Sequence, residues 1–103
     1  MIAKVEWTWQ LPCNAASEEG QIEVAITATD ADTPVAQLTY SDSGWPPFAE
    51  CTDINAATTI LTCQPHDGLR GTDAIATDPQ GNEGRLRFDF DPCQNGCEGD
   101  ACP

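Results

Sequence analysis

Several short runs of the chain alternate between apolar and polar residues, and this period of two constrains the fold more than any other feature. The runs KVEWTWQL (4–11), QIEVAITAT (21–29) and RLRFDFD (85–91) show it most clearly. Alternation places successive side chains on opposite faces of a β-strand. No run keeps a helical period of 3.6 residues for long. The sequence therefore predicts an all-β protein whose strands bury one face and expose the other to water.

Turn-forming segments separate the alternating runs, among them SEEG, DADTP, SGWPP, QPHDGLRG and DPQGNEG. The resulting strands are predicted at 4–11, 21–29, 35–41, 48–53, 57–63, 72–77 and 85–91. A chain of 103 residues is expected to form one domain. We therefore predict an antiparallel Greek-key β-sandwich of about seven strands over residues 1–91. Residues 92–103, PCQNGCEGDACP, contain no core-forming residues and are predicted to be a cysteine-containing tail or linker.

The chain is strongly acidic, with 17 acidic residues, 4 basic residues and a formal net charge of −13. Such a charge repels phosphate backbones and anionic lipid, which argues against nucleic acid and membrane partners. No segment approaches the roughly 18 apolar residues of a membrane span, and residues 1–12 lack an apolar leader segment. We expect an extracellular or cell-surface module that belongs to a longer protein.

The six cysteines are expected to form disulfides, because an even number in a short chain is typical of an oxidising compartment. A zinc site is the alternative interpretation. It is disfavoured because only CQNGC and CEGDAC bring cysteines close together in sequence, and both lie within residues 93–102.

Three phrases occur in the order TATDADTPVAQLTYS, TILTCQPHDGLRGTD and IATDPQGNEG, over roughly residues 21–91. In this order they resemble the cadherin-like and immunoglobulin-like tandem repeats of bacterial surface and secreted proteins. Domains of the polycystic-kidney-disease type contain similar phrases. The chain departs from those repeats in its short run after GTD and in its number of cysteines.

The resemblance implies a seven-stranded Greek-key sandwich that acts as a non-enzymatic adhesion or spacer module between neighbouring domains. In the cadherin-like repeats, acidic residues in the turns after the second and sixth strands bind calcium at a domain junction. Carried over to this chain, the resemblance points to Asp30 and Asp32 in DAD and to Asp78 in TDP.

In a Greek-key sandwich these two turns lie at the same end, so Asn82 and Glu83 would join Asp30, Asp32 and Asp78 there. Calcium takes six to eight oxygen ligands, which such a group could partly supply. The alternative is that Asp and Asn serve only as turn residues, since their side chains hydrogen-bond to the nearby backbone.

Three disulfides are predicted. Cys51 and Cys63 flank one connection. Cys13 and Cys93 follow the first and last strands, which often run side by side in this fold. Cys97 and Cys102 would then close a small loop, although six cysteines allow 15 pairings. The alternative is that the cysteines near the C-terminus pair with a flanking domain.

The segment SGWPPF suggests a second function, the binding of a glycan or protein ligand. Its two prolines would stiffen the loop and present Trp45 and Phe48 outward, as exposed aromatic residues do in many binding sites. The alternative is that Trp45 folds over the end of the core.

No catalytic set is recognisable in the sequence. The single histidine, His66, would have to meet one of three serines, and no nucleophile-elbow motif is present. We therefore expect no enzymatic activity.

Overall fold

The computed structural model describes residues 1–10, 20–29, 34–45, 51–63, 70–90 and 93–103, and it forms two antiparallel β-sheets. Its strands are β1 (Ile2–Trp9), β2 (Gly20–Ala28), β3 (Thr39–Asp42), β4 (Thr58–Cys63), β5 (Arg70–Thr77), β6 (Glu83–Phe90) and β7 (Gly96–Glu98). One sheet has the order β4-β2-β1-β7 and the other has the order β3-β5-β6. The chain crosses between the sheets after β2, returns to pair β4 with β2, and crosses again to β5. The predicted antiparallel Greek-key β-sandwich is confirmed.

The alternating residues form the core between the two sheets. Fully buried side chains come from both sheets: Phe88, Ile22, Leu61, Val5, Val24, Thr72 and Cys63. Trp7 lies in the same cluster, with its ring centroid 5.6 Å from that of Phe88. Because burial of apolar surface is the main force in folding, this pattern selects the strand register.

The predicted strand at 35–41 is wrong in its first half. Residues Val35–Gln37 form a 3₁₀ turn, and β3 begins only at Thr39. The N–H of Gln37 donates to the Pro34 carbonyl at 2.9 Å, and the N–H of Leu38 donates to Val35 at 3.1 Å. Proline fixes φ near −65°, which favours such a turn. The apolar alternation of Ala36, Leu38 and Tyr40 had concealed it.

The predicted strand at 48–53 is also wrong in its described part, residues 51–53, which are not in a strand. Thr52 makes a brief pairing with β4, because its N–H donates to the Thr62 carbonyl at 3.1 Å. The next residues leave the sheet. The N–H of Ile54 donates to Oδ2 of Asp42 at 2.8 Å, and the Ile54 side chain is buried. Residues 48–50 lie outside the described part of the chain.

The segment predicted to be a tail contains an edge strand. Glu98, Cys97 and Gly96 of β7 pair with Val5, Glu6 and Trp7 of β1. Two further bonds extend this pairing, from the Trp9 N–H to Oδ1 of Asn95 at 2.7 Å and from the Ala101 N–H to the Ala3 carbonyl at 3.1 Å. Residues 95–101 therefore cover the edge of β1 from Ala3 to Trp9.

Candidate functional site at the turn pole

One end of the sandwich carries the sequence-predicted turn after β5, and we call it the turn pole: Met1, Thr29 and the turn 78–82. The amine of Met1 donates to the Thr29 carbonyl, and the N–H of Thr29 donates to the Met1 carbonyl, both at 2.8 Å. The backbone of Met1 also lies against Gly84 of β6, where an added Cβ would come within 3.0 Å of the Met1 Cα. The end of β2 and the start of β6 therefore meet at this pole.

The turn between β5 and β6 is closed by its own backbone. The N–H of Asp78 donates to the Asn82 carbonyl at 2.9 Å, and the N–H of Gly81 donates to the Asp78 carbonyl at 3.0 Å. Gly81 has a φ of 89°, in the left-handed region that glycine adopts without strain. The sequence DPQGN therefore forms a turn whose shape follows from its own residues.

The carboxylate of Asp78 is held within this turn. Its Oδ1 accepts from the N–H groups of Gln80 at 3.0 Å and Asn82 at 2.8 Å. Its Oδ2 accepts from Nδ2 of Asn82 at 3.1 Å. Such bonds to the local backbone are the reason that Asp is favoured in turns.

These bonds lower the pKa of Asp78 below its ordinary value. Desolvation is the largest single influence and acts in the opposite direction, raising the pKa. The hydrogen bonds from the Asn82 side chain and from the backbone of Asn82, Gln80 and Gly81 together outweigh it. Each of them favours the ionised carboxylate. The charge on Asp78 therefore stabilises the folded turn.

Glu83 is engaged in a different interaction. Its Oε1 lies 3.2 Å from Nη2 of Arg85, and Nη1 of the same arginine lies 3.6 Å from Oδ2 of Asp73. These side chains are on the outer face of the β3-β5-β6 sheet, where salt bridges contribute little to stability. Glu83 thus neutralises a basic residue on that face.

A small cleft of about 110 Å³ opens at the turn pole. It is lined by Met1, Leu38, Ala76, Asp78, Asn82, Glu83 and Gly84. Asp78, Asn82 and Glu83 thus line one cleft, and their predicted role as metal ligands stays a prediction. Asp30 and Asp32 lie outside the described residues.

The described part of the turn pole does not by itself assemble a calcium site. Three donors already occupy the Asp78 carboxylate, and an arginine engages Glu83. Among the described residues no group of three or more His, Cys, Asp or Glu side chains could hold a metal ion. The calcium prediction therefore depends on Asp30 and Asp32, and it stays a prediction.

Trp45, predicted as a ligand-binding residue, is partly buried and packs against the core. Its ring meets Phe88 edge-on, with centroids 6.3 Å apart and an interplanar angle of 89°. Edge-to-face geometry of this kind is favourable for aromatic pairs. Trp45 thus covers the core, and ligand binding through it stays a prediction. Phe48, its predicted companion, lies outside the described residues.

Two predicted disulfides are present, Cys51–Cys63 and Cys97–Cys102. Cys93 is disulfide-bonded as well, and its predicted partner, Cys13, lies outside the described residues. Cys51–Cys63 joins the end of β4 to the segment that begins to pair with it. Cys97–Cys102 closes a loop between β7 and the residues that bond to Ala3.

Sequence reasoning missed the structural role of Asp42. Its Oδ1 accepts from the N–H of Gly44 at 2.9 Å, while its Oδ2 holds the N–H of Ile54. Asp42 therefore joins the turn after β3 to Ile54, near the far end of the connection that leads to β4. The local part of this arrangement has a signal in the sequence, because Asp-Ser-Gly after a strand is typical of an Asp-stabilised turn.

Thr72 also holds the turn after β3. Its buried hydroxyl donates to the Gly44 carbonyl at 2.9 Å and lies 3.1 Å from Oγ of Ser43. These bonds fix the segment that leads to Trp45.

Of the residues considered for a catalytic set, Ser17 and His66 lie outside the described residues. The absence of enzymatic activity stays a prediction.

No helix within the described ranges has the length and apolar character needed to cross a membrane. Comparison with known proteins does not place the chain in a family: no family model, curated protein or solved structure matches it. The cadherin-like and immunoglobulin-like resemblance therefore stays a prediction, and the proposals below depend on the geometry of this chain.

Proposed function

We propose that this chain is a non-enzymatic extracellular module of a larger secreted or surface protein, with a structural or adhesive role, and that it is attached through the turn pole. Its three kinds of support are the sandwich fold, the disulfides and the path of residues 95–101. Disulfides persist in oxidising compartments, which supports an extracellular location.

The path of residues 95–101 is the observation that supports attachment through the turn pole. β1 starts at the turn pole, and β6, which begins there at Glu83, ends at the opposite pole. Because β7 is antiparallel to β1, the chain then runs back, until Ala101 bonds to Ala3. Residue 1 and Ala101 consequently lie towards the same pole, and Cys102 is held nearby by its bonds to Gly99 and Cys97. Any flanking chain on either side would connect there.

This arrangement differs from the string of beads that the sequence resemblance implies. In such a string the chain enters a domain at one pole and leaves it at the other. Here the sandwich projects from the parent protein, with the ends of β1 and β6, at Trp9 and Phe90, furthest from the attachment. Neighbouring domains are the expected partners at the turn pole, and the projecting surface is the part available for adhesion.

The distance between the two ends of the chain tests this proposal. Donor and acceptor dyes would be attached enzymatically to the termini of the oxidised protein, and energy transfer measured. Residues 1 and 103 are each two residues from the bonded pair Ala3 and Ala101. With about 3.3 Å per residue, the ends should lie roughly 20 Å apart or less.

The domain measures 45 Å along its longest axis. Transfer that corresponds to a separation near that length would show that the ends lie at opposite poles, and would refute attachment through the turn pole. A second measurement with saturating calcium tests the junction prediction separately. Calcium bound by Asp30 and Asp32 together with the turn 78–82 would shift the amide resonances of Asp78 and Asn82.

A further inference from the structure

Within the described residues the two sheets have four edge strands, and three of them are protected against pairing with another chain. β7 has three residues and β3 has four, so both are short. β6 is longer but carries a charged side chain at every second position: Glu83, Arg85, Arg87 and Asp89. Short edges and charged side chains are the usual means of blocking edge-to-edge association.

The remaining edge, β4, has neither protection. Its sequence TTILTC has six residues and no charge. Ile60, at its centre, is 58% exposed. A single exposed isoleucine needs no explanation by itself. On an uncharged, β-branched edge strand, however, it provides an apolar contact directly beside backbone groups that can pair.

The register of β4 shows which backbone groups face outward. The Ala57 carbonyl accepts from the N–H of Ile26 at 2.7 Å, so Ala57 and every second residue after it face β2. The N–H and carbonyl groups of Thr58, Ile60 and Thr62 therefore point away from the sheet. Thr62 is bonded there to Thr52, through its carbonyl at 3.1 Å and its N–H at 3.0 Å.

The outward groups of Thr58 and Ile60 have no hydrogen-bond partner within the described part of the chain. After Thr52 the chain turns into the space between the sheets, where Ile54 is only 3% exposed. The N–H groups of Asn55 and Ala56 donate to Oγ1 of the buried Thr59, at 3.3 and 3.1 Å. Residues 53–57 therefore fill the side of the sandwich and, within the described residues, leave the outward groups of Thr58 and Ile60 uncovered.

We propose that β4 is a binding edge for an extended, basic segment of a partner protein, which adds to the sheet as a further strand. Strand addition uses the outward backbone groups of Thr58 and Ile60, while Ile60 contacts an apolar side chain of the partner. Charge selects the partner. Glu23 lies opposite Ile60 on β2, Asp53 follows Thr52, and the chain carries a net charge of −13. A second copy brings the same negative charge and is repelled, whereas lysine or arginine residues are attracted.

The test uses a ten-residue peptide of alternating lysine and valine, with blocked ends, titrated into the oxidised full chain and followed by proton–nitrogen NMR. We expect the amide resonances of Thr58, Ile60 and Glu23 to shift together. A peptide of alternating lysine and proline has the same charge but cannot donate the bonds of a strand. It should bind at least about tenfold more weakly.

The matched protein variants are Ile60→Pro and Ile60→Thr. Ile60→Pro removes the outward N–H, which β2 does not use, and should weaken binding of the lysine–valine peptide at least about tenfold. Ile60→Thr keeps that N–H and the β-branched shape but shortens the apolar contact, and should weaken binding less than Ile60→Pro does. If Ile60→Pro does not fold, the comparison of the two peptides on the original protein decides the question.

Two results would overturn the proposal. Equal binding of both peptides, with shifts spread over the acidic surface, would mean that only charge attracts them. Shifts of Thr58 and Ile60 that grow with protein concentration in the absence of peptide would mean that a second copy occupies the edge. This edge is distinct from the turn pole, so the result is independent of how the module is attached.

Discussion

Gly96 of β7 lies directly against the indole ring of Trp7, so closely that an added Cβ would come 2.5 Å from Cζ2 of the ring. Trp7 is a buried core residue on β1. The contact therefore joins the edge strand near the C-terminus to the hydrophobic core. It also explains why the residue at this position has no side chain.

Gly96→Ala should detach or distort β7, because either the strand or the Trp7 ring must move. Overpacking of this kind typically costs about 1–3 kcal/mol, and we expect a loss of that size in the free energy of unfolding. Urea denaturation followed by tryptophan fluorescence would measure it. Glu98→Ala, on the same strand at an exposed position, is the control and should change stability by less than about 0.5 kcal/mol. An equal effect of both variants would contradict the proposed contact.

Asn82→Ala should weaken the turn between β5 and β6 by removing the Nδ2 donor to Asp78. We expect a lower urea midpoint, and the same decrease in excess EDTA and in about 10 mM calcium, a concentration above the Kd of roughly 0.1–1 mM of extracellular calcium modules. The reason is that the turn satisfies Asp78 with its own groups. Gln80→Ala, which keeps the backbone donor of residue 80, should have little effect. A decrease that appears only in calcium would show that Asn82 acts as a metal ligand.

The lowered pKa of Asp78 predicts a definite dependence of stability on pH. A carboxyl group whose pKa is lower in the folded state stabilises the fold fully above its ordinary pKa, about 3.9 for Asp. That stabilisation is lost as the pH falls through the lower pKa of the folded state. Unfolding midpoints measured between pH 6 and pH 2 should decrease less in Asp78→Asn than in the original protein. Parallel curves would contradict the assignment.

The disulfide Cys51–Cys63 should contribute more to stability than Cys97–Cys102. Their sequence separations are 12 and 5 residues. On loop-closure entropy alone, these correspond to about 3 and 2 kcal/mol. Replacing each pair with serine and measuring the free energy of unfolding checks the order. Serine at position 63 is also buried, which increases the first loss. A larger loss for the pair 97 and 102 would show that β7 stabilises the sandwich more than its length suggests.

The alternating runs predicted most of the fold because each strand's burial is encoded in neighbouring residues. Both ends of each long strand lie within two residues of the predicted ends, and this holds for β1, β2, β4, β5 and β6. The turn 78–82 was predictable for the same reason, since Asp78 and Asn82 are close in sequence. What the sequence left open was whether their oxygens face a cation or the backbone. The structure shows the backbone bonds.

The missed features depend on residues that are far apart in the chain. β7 has no apolar alternation, and its position is fixed by Trp7 and by the bond between Trp9 and Asn95, 86 residues away. Residues 51–53, the described part of the expected strand at 48–53, are not in a strand, and the chain after them is held by the bond between Ile54 and Asp42. No local pattern contains such information, because the partner residue determines the structure.

The return of the chain along β1 also has a mechanical consequence. Tension applied through the two ends would enter and leave the molecule at one pole. At the C-terminal end, the disulfide Cys97–Cys102 would carry the tension directly to Cys97, which pairs with Glu6. From there β7 would be peeled from β1 a few hydrogen bonds at a time, towards Trp9 and Asn95. Under the proposed attachment, a domain held at one pole would remain folded while the protein joined to its ends is stretched.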